Sequence, residues 1–218
     1  MNAVVSPPRR DPDAGLGIRV GMLVMNDVHR DARVQKEAYA LHSAGAVVTI
    51  IAAAHGGSQP WSTDAFDVHP VEAMRASESR IWLIRVIANL ARELRLWKRM
   101  ADEVAAVGPD VVHCHDLDTA WAGMRAARVT GARLVYDAHE LYTERSTMIW
   151  WRKWLLERIE SRILTRANAV FAANAERAEI MREKYRVDRT IVPLLNVPPR
   201  SAWVNEPGES AADARAAT

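Results

Sequence analysis

The sequence is poor in the features that would place a protein outside the cell or across a membrane. Its 218 residues include one cysteine, Cys114, so no disulfide forms within the chain and a reducing, cytoplasmic compartment is expected. No apolar run approaches the roughly 18 residues of a membrane-spanning helix. The first 17 residues carry prolines and charges and lack the apolar stretch of a signal peptide. With 49% hydrophobic and 26% charged residues, the composition predicts a globular domain.

The chain also lacks the common signals for nucleic acid and for nucleotide cofactors. Its net charge of +2 is too small to predict nucleic-acid binding. No G-x-G-x-x-G follows the first predicted strand, and no G-x-x-x-x-G-K-[ST] occurs. Readings as a dinucleotide-binding domain or a P-loop protein are therefore excluded.

Short apolar runs alternate with amphipathic stretches along the chain. The runs predict strands at residues 18–25, 47–54, 110–115, 133–138, 169–173 and 190–195, with one more at 66–71. Helical periodicity covers residues 31–44, 79–107, 118–130, 147–167 and 175–185. This order predicts an α/β fold, a doubly wound parallel sheet of six or seven strands with helices on both faces. We expect one domain at residues 17–199 between flexible tails at 1–16 and 200–218.

Polar residues follow the predicted strands at their carboxyl ends, where open parallel sheets bind ligands. They are Asn26, Asp27, His115, Asp116, His139, Glu140, Asn174 and Asn196. The H-C-H-D run at residues 113–116 does not continue as a metallo-hydrolase motif, because Leu117 replaces the required aspartate. We therefore expect no metal, with His113 and Cys114 in the core and His115 at the rim.

Basic residues and tryptophans concentrate in two segments. Residues 75–99 carry a net charge of +5 and residues 147–167 a net charge of +3. The second segment contains Trp150, Trp151, Arg152, Lys153 and Trp154, a composition that suits contact with an anionic membrane surface. An ordinary amphipathic helix packed on the sheet is the alternative, and for the first segment we favour that alternative.

Several motifs together resemble the N-terminal domain of family 4 glycosyltransferases with the GT-B architecture. They are N-D-V-H-R-D-A-R-V-Q-K-E-A at residues 26–38, D-V-V-H-C-H-D at 110–116, V-Y-D-A-H-E-L at 135–141, N-A-V-F-A-A-N at 168–174 and P-L-L-N-V-P at 193–198. The resemblance covers roughly residues 18–199. It implies a Rossmann-like, acceptor-binding half of a retaining enzyme that uses a nucleotide sugar and no metal.

The resemblance also implies roles for particular residues. The loop from Asn26 to Arg33, including Asp31, would line the cleft beneath the donor phosphates, and His115 and Asp116 would face the acceptor. His139 and Glu140 are the expected catalytic residues. His139 would position or deprotonate the acceptor hydroxyl, because an imidazole titrates near neutral pH.

One part of the family pattern is missing. The donor-binding domain carries two glutamates spaced E-x7-E, and no two glutamates here are eight positions apart. We therefore expect the chain to bind no cofactor itself and to need a separate donor-binding chain. Its acceptor would be a glycan or lipid-linked molecule of the cell envelope, with the chain at the inner face of the membrane. A non-catalytic interaction or membrane-surface module, or a truncated inactive copy, are the alternatives.

Overall fold

A computed structural model describes residues 17–54, 60–74, 80–139 and 150–195. The tails predicted at residues 1–16 and 200–218 lie outside the described residues. The strands are β1 (Arg19–Val24), β2 (Val47–Ala54), β3 (Trp61–Ser62), β4 (Phe66–Glu72), β5 (Val111–His115), β6 (Arg133–Ala138), β7 (Ala169–Ala172) and β8 (Val192–Pro193). The helices are α1 (Ala32–Ser43), α2 (Trp82–Ala106), α3 (Leu117–Thr130), α4 (Trp150–Arg166) and α5 (Ala175–Tyr185), and a 3-10 turn (Val28–Arg30) precedes α1.

The strands form one sheet in the order β3-β4-β2-β1-β5-β6-β7-β8. Seven strands run parallel and correspond to the seven runs in the sequence, which confirms the α/β prediction. The eighth, β3, pairs antiparallel with β4 and was not predicted. At two residues it is too short to produce a periodic pattern.

The two faces of the sheet bury different helices. On one face, Val34 and Ala38 of α1 pack with alternate residues of the strands, among them Val20 and Met22. The buried residues of α2, α3, α4 and α5 belong to a second core with Leu23, Cys114, Leu134 and Tyr136. Only α1, among the described helices, therefore contributes buried side chains to its face of the sheet.

Helix α3 packs against β5 at Gly123, which faces Cys114. A methyl group at position 123 would overlap the Cys114 sulfur and lie 3.5 Å from Leu134. Burial also raises the pKa of the Cys114 thiol to about 12, which keeps it protonated and supports its reading as a core residue.

Gly123→Ala is therefore expected to destabilise the protein. Overpacking a core costs about 1–3 kcal/mol, more than the roughly 1 kcal/mol that alanine gains over glycine inside a helix. Urea unfolding of Gly123→Ala measures the loss. The double variant Gly123→Ala/Cys114→Ala should recover stability relative to the sum of the single changes, because it removes the sulfur. Strictly additive effects would contradict this account of the contact.

A buried carboxyl group anchors α4. Glu160 is 2% exposed and accepts hydrogen bonds from the hydroxyls of Tyr136 on β6 and Tyr185 on α5. Burial raises the pKa of Glu160, since charge is disfavoured away from water. The carboxyl group thus joins α4 to the sheet and to α5.

Helix α2 differs from its predicted packing. The sequence places Leu83, Ile87 and Leu94 on the same apolar stripe as Trp97, and that stripe was expected to cover the sheet. Only the C-terminal half of α2 is buried, whereas Leu83 is 56% and Ile87 58% exposed. A helix of 25 residues is about 37 Å long, but a strand of eight residues spans only about 26 Å. The strands are too short to cover the whole stripe.

Candidate functional site

The candidate site lies where the strand order reverses. From β1 the chain moves outward to β2 and β4, and then crosses back to β5 on the other side of β1. Loops diverge at the carboxyl ends of such a pair of strands and leave a crevice. Asn26 follows β1, Asp116 follows β5 and His139 follows β6, so three predicted site residues lie along this edge.

The loop after β1 is held by its own polar side chains. Asp31 caps α1 by accepting hydrogen bonds from the backbone N–H groups of Arg33 and Val34, each at 3.2 Å. Asn26 Nδ2 donates to Asp31 Oδ2 at 2.7 Å, and Asp27 accepts from the backbone N–H of His29 at 3.1 Å. The helix predicted to start at residue 31 therefore begins as expected, with Asp31 as its cap.

Arg33 and Asp116 connect this loop to β5. Arg33 Nη2 lies 3.8 Å from carboxylate oxygens of both Asp31 and Asp116. Asp116 Oδ1 in turn accepts the backbone N–H of His139 at 2.9 Å. Asp116 has a φ of +61°, a conformation that non-glycine residues rarely adopt and that costs about 1–3 kcal/mol. Surrounding contacts must maintain such a strained backbone, and strained residues cluster at functional sites.

Beneath this rim is a buried imidazole–carboxylate cluster, formed by Glu37, His113, His115, Asp137 and His139. His139 Nε2 lies 3.0 Å from Asp137 Oδ2 and 3.4 Å from His115 Nδ1. Glu37 Oε2 lies 3.9 Å from both His113 Nε2 and His115 Nδ1. Asp137 is fully buried, and the three histidines are at most 7% exposed.

Two neighbouring strands and helix α1 supply the side chains of this cluster. His113 and His115 are two positions apart on β5 and therefore point to the same face. In the parallel register Asp137 of β6 stands beside His115. Glu37 belongs to the turn of α1 that carries Val34 and Ala38 into the core, so it reaches the same face from above.

Burial controls the charge of the cluster. It raises the pKa of Glu37 to about 8, an effect that the charge of Asp137 reinforces and that of Arg33 opposes. It lowers the pKa of His113 to about 4, although Asp137 acts against this shift. The pKa of His115 is lowered well below its ordinary value by burial, with His113 and His139 adding to the effect. Near pH 7 the imidazoles of His113 and His115 are therefore neutral and keep a free lone pair.

Several atoms of the cluster have no hydrogen-bond partner in the described part of the chain. They are Glu37 Oε2, His113 Nε2, His115 Nε2 and both carboxylate oxygens of Asp137. The approach of His139 to Asp137 is close but does not have hydrogen-bond geometry. Buried polar atoms are normally paired, so this cluster has capacity to bind a ligand or to hold a proton.

The structure brings most predicted site residues together and adds others. Asn26, Asp27, Asp31, Arg33, Asp116 and His139 share one edge, and His115 is more deeply buried than its predicted rim position. Asn174 follows β7 and caps α5 by accepting the backbone N–H of Arg177. Glu140 and Asn196 lie outside the described residues.

Glu37 and Asp137 were not predicted as site residues. Both carry a signal that was available, since Asp137 is an acid inside an apolar strand and Glu37 adjoins the apolar stripe of α1. Acids at such positions are rarely buried without a partner.

The tryptophan-rich segment forms the start of α4. Trp150 is 80% and Trp154 55% exposed, while Trp151 and Lys153 are half-buried. Arg152 forms an ion pair with Glu93 of α2 at 2.8 Å, which places this segment beside the exposed half of α2. None of the helices in the described ranges is long and apolar enough to cross a membrane.

Solved structures define the class of protein to which this fold belongs. A fragment of sucrose-phosphate synthase from Thermosynechococcus elongatus superposes with a TM-score of 0.56 at 14% identity, over 83% of this chain and 90% of that chain. Arabidopsis thaliana UGT89C1 complexed with UDP-L-rhamnose gives a TM-score of 0.55 at 12% identity, over 88% of this chain and 56% of that chain. The fold is that of a Rossmann-like domain of GT-B glycosyltransferases.

The family is shown by the sequence match. Residues 31–196 match the family described as glycosyl transferase 4-like domain. The chain belongs to this family, and the family prediction is confirmed. No curated protein gives a significant match. The chain spans about half of the longer sucrose-phosphate synthase chain, of which it covers 47%.

Proposed function

We propose that this chain is the acceptor-binding half of a retaining transferase that uses a nucleotide sugar. The observation that carries the proposal is the position of the imidazole–carboxylate cluster at the switch point of a GT-B domain, below Arg33 and Asp116. In this proposal, His139 positions or deprotonates the acceptor hydroxyl. Asp137 Oδ2 lies 3.0 Å from His139 Nε2, and its negative charge favours a proton on that nitrogen, which leaves Nδ1 as the basic nitrogen.

Arg33 supports a role for the neighbouring loop in meeting the donor. Its guanidinium is one-quarter exposed, lies between two carboxylates and is held at the start of α1. Asp31 already caps the N-terminus of α1, so a diphosphate would bind Arg33 by taking the place of one of its two carboxylate partners. The remaining donor contacts would come from a second domain, because the chain spans only about half of the longer relatives.

The exposed apolar surface supports a lipid-linked acceptor as the substrate class. Both α2 and α4 follow parallel strands, so their N-terminal ends lie on the side of the sheet that holds the cluster. Trp82 and Leu83 of α2, and Trp150 and Trp154 of α4, are each more than half exposed. A membrane contact at this edge would present the head group of a lipid to the site. A non-catalytic membrane-surface module is the second candidate, supported by the same residues.

The proposal predicts that catalysis requires a donor-binding domain. The chain alone should release almost no nucleoside diphosphate from UDP-, GDP- or ADP-sugars, because stabilisation of the leaving diphosphate would come mostly from the other half. Adding the donor-binding chain that purifies with it from native cells should restore transfer. NMR of the product should show the anomeric configuration of the donor.

The other outcomes separate the alternatives. An inverted product would contradict the retaining mechanism. A chain that is monomeric in native cells, binds anionic vesicles and supports no transfer would favour the membrane-surface module. A chain that binds neither glycan nor lipid would favour an inactive copy.

A further inference from the structure

Four side chains of the imidazole–carboxylate cluster present one ligand atom each to a common point. Glu37, His115, Asp137 and His139 supply atoms that all lie within 4.8 Å of one another. Tetrahedral coordination at about 2.0–2.2 Å separates neighbouring ligand atoms by about 3.3–3.6 Å. The separations here are 3.0 Å between His139 Nε2 and Asp137 Oδ2, 3.4 Å between His139 Nε2 and His115 Nδ1, and 3.9 Å between His115 Nδ1 and Glu37 Oε2. The remaining pairs are at most 4.8 Å apart, so the side chains would have to close by up to about 1.5 Å to complete a tetrahedron.

The four ligand atoms lie in a largely buried environment fixed by the central sheet. His115, Asp137 and His139 are at least nine-tenths buried, and two of them project from neighbouring strands of the central sheet. Glu37 Oε2 and both oxygens of Asp137 have no hydrogen-bond partner among the described residues. Leaving such atoms unpaired is costly, and a cation would pair them all at once. His113 lies behind the site, with Nε2 4.0 Å from Asp137 Oδ2.

The donor set selects the kind of cation. Two imidazole nitrogens with two carboxylate oxygens suit Zn²⁺ and similar transition metals, whereas Mg²⁺ and Ca²⁺ prefer six or more oxygens. Burial raises the pKa of Glu37 to about 8, so Glu37 would release a proton to solvent when the ion binds. The two ionised carboxylates would then neutralise the two positive charges of the ion.

We propose that Glu37, His115, Asp137 and His139 form a tetrahedral site for one Zn²⁺-like transition-metal ion. This departs from the sequence analysis, where the broken motif after His115 led us to expect no metal. The register of β5 and β6 brings His115 and Asp137 together, and α1 supplies Glu37. The four ligands therefore do not form a contiguous sequence motif.

The evidence for the metal site does not depend on the proposed transfer reaction. A bound ion would nevertheless change which nitrogen of His139 carries the proton. A neutral imidazole has one N–H and one lone pair. If Nε2 of His139 binds the ion, Nδ1 carries the proton and cannot accept one from an acceptor hydroxyl. The metal-loaded chain is then a resting form in which that base is blocked.

Metal titration of the purified full chain tests the proposal. After removal of metal with a chelator, calorimetry with Zn²⁺ should give one site per chain. Titration with Co²⁺ should give the visible absorption bands of a tetrahedral complex. Asp137→Asn and His139→Gln should each weaken Zn²⁺ binding at least about 100-fold. His69→Gln is the matched control, because His69 is half-buried on β4 and lies 3.3 Å from Glu103, away from the cluster.

Several results would overturn the site. They are the absence of stoichiometric Zn²⁺ binding to the wild-type chain, an octahedral Co²⁺ spectrum, and equal weakening by His69→Gln. Should a cluster variant fail to fold by circular dichroism, the wild-type Co²⁺ spectrum decides alone. Because no readout requires sugar transfer, loss of the metal site and failure of the proposed function are distinguishable.

Discussion

His139→Gln is expected to lower kcat of the reconstituted transferase by about 10²–10⁴-fold, the usual contribution of a general base. Glutamine approximates the size of the ring and retains hydrogen-bonding groups, but it cannot accept a proton at neutral pH. The KM for the acceptor should change much less than kcat, because the lost interaction belongs to the transition state. Initial rates with the donor-binding domain present, in metal-free buffer, provide the measurement.

Two further variants make this test specific. His42→Gln replaces an exposed histidine at the end of α1 and should leave kcat unchanged. Asp137→Asn keeps the shape of the side chain but removes its charge. It should therefore lower kcat by weakening the electrostatic interaction that orients His139. Its pH–rate profile should shift, which a purely structural defect would not cause. Turnover of His139→Gln at the wild-type rate would remove His139 from the mechanism.

The double variant Trp150→Ser/Trp154→Ser should bind anionic vesicles at least about tenfold more weakly than the wild-type chain. A tryptophan side chain buries about 150–250 Å² when fully covered, at about 25 cal/mol per Å². Even partial insertion of two exposed rings therefore accounts for more than a tenfold change. Binding should also weaken in high salt, because the neighbouring cations act on anionic lipid through a screened field.

Cosedimentation with vesicles that contain phosphatidylglycerol, compared with neutral vesicles, measures this effect. Val129→Ser is the matched control. Val129 is 69% exposed but lies near the C-terminal end of α3, at the opposite edge of the sheet. Equal binding to anionic and neutral vesicles would contradict the electrostatic part, and unchanged binding of the double variant would contradict the role of the tryptophans.

The order of strands and helices was predictable from local patterns. Seven apolar runs became seven parallel strands, and the predicted start of α1 at Asp31 agrees with its cap to one residue. The helix predicted to end at residue 130 does so, and Gly131 follows it with a left-handed φ of +74°. Such features depend on residues within a few positions of one another, where periodicity and capping chemistry operate.

Burial was harder to predict wherever it depended on the length of another element. Leu83 and Ile87 share an apolar stripe with Trp97, yet only Trp97 is covered. The stripe specifies which side of α2 is apolar. How much of that side meets the sheet is decided by the span of the strands beneath it.

The sequence by itself determined the alternating α/β order, the bounds of α1 and α5, and the motifs that place the chain in its family. The tertiary structure alone decided that Glu37, His115, Asp137 and His139 meet, although about a hundred positions separate the first from the last. Strand order and register place β6 beside β5, β5 beside β1 and α1 above them. The local sequence pattern predicts that each strand is apolar and buried, but it does not specify which strands pair with one another.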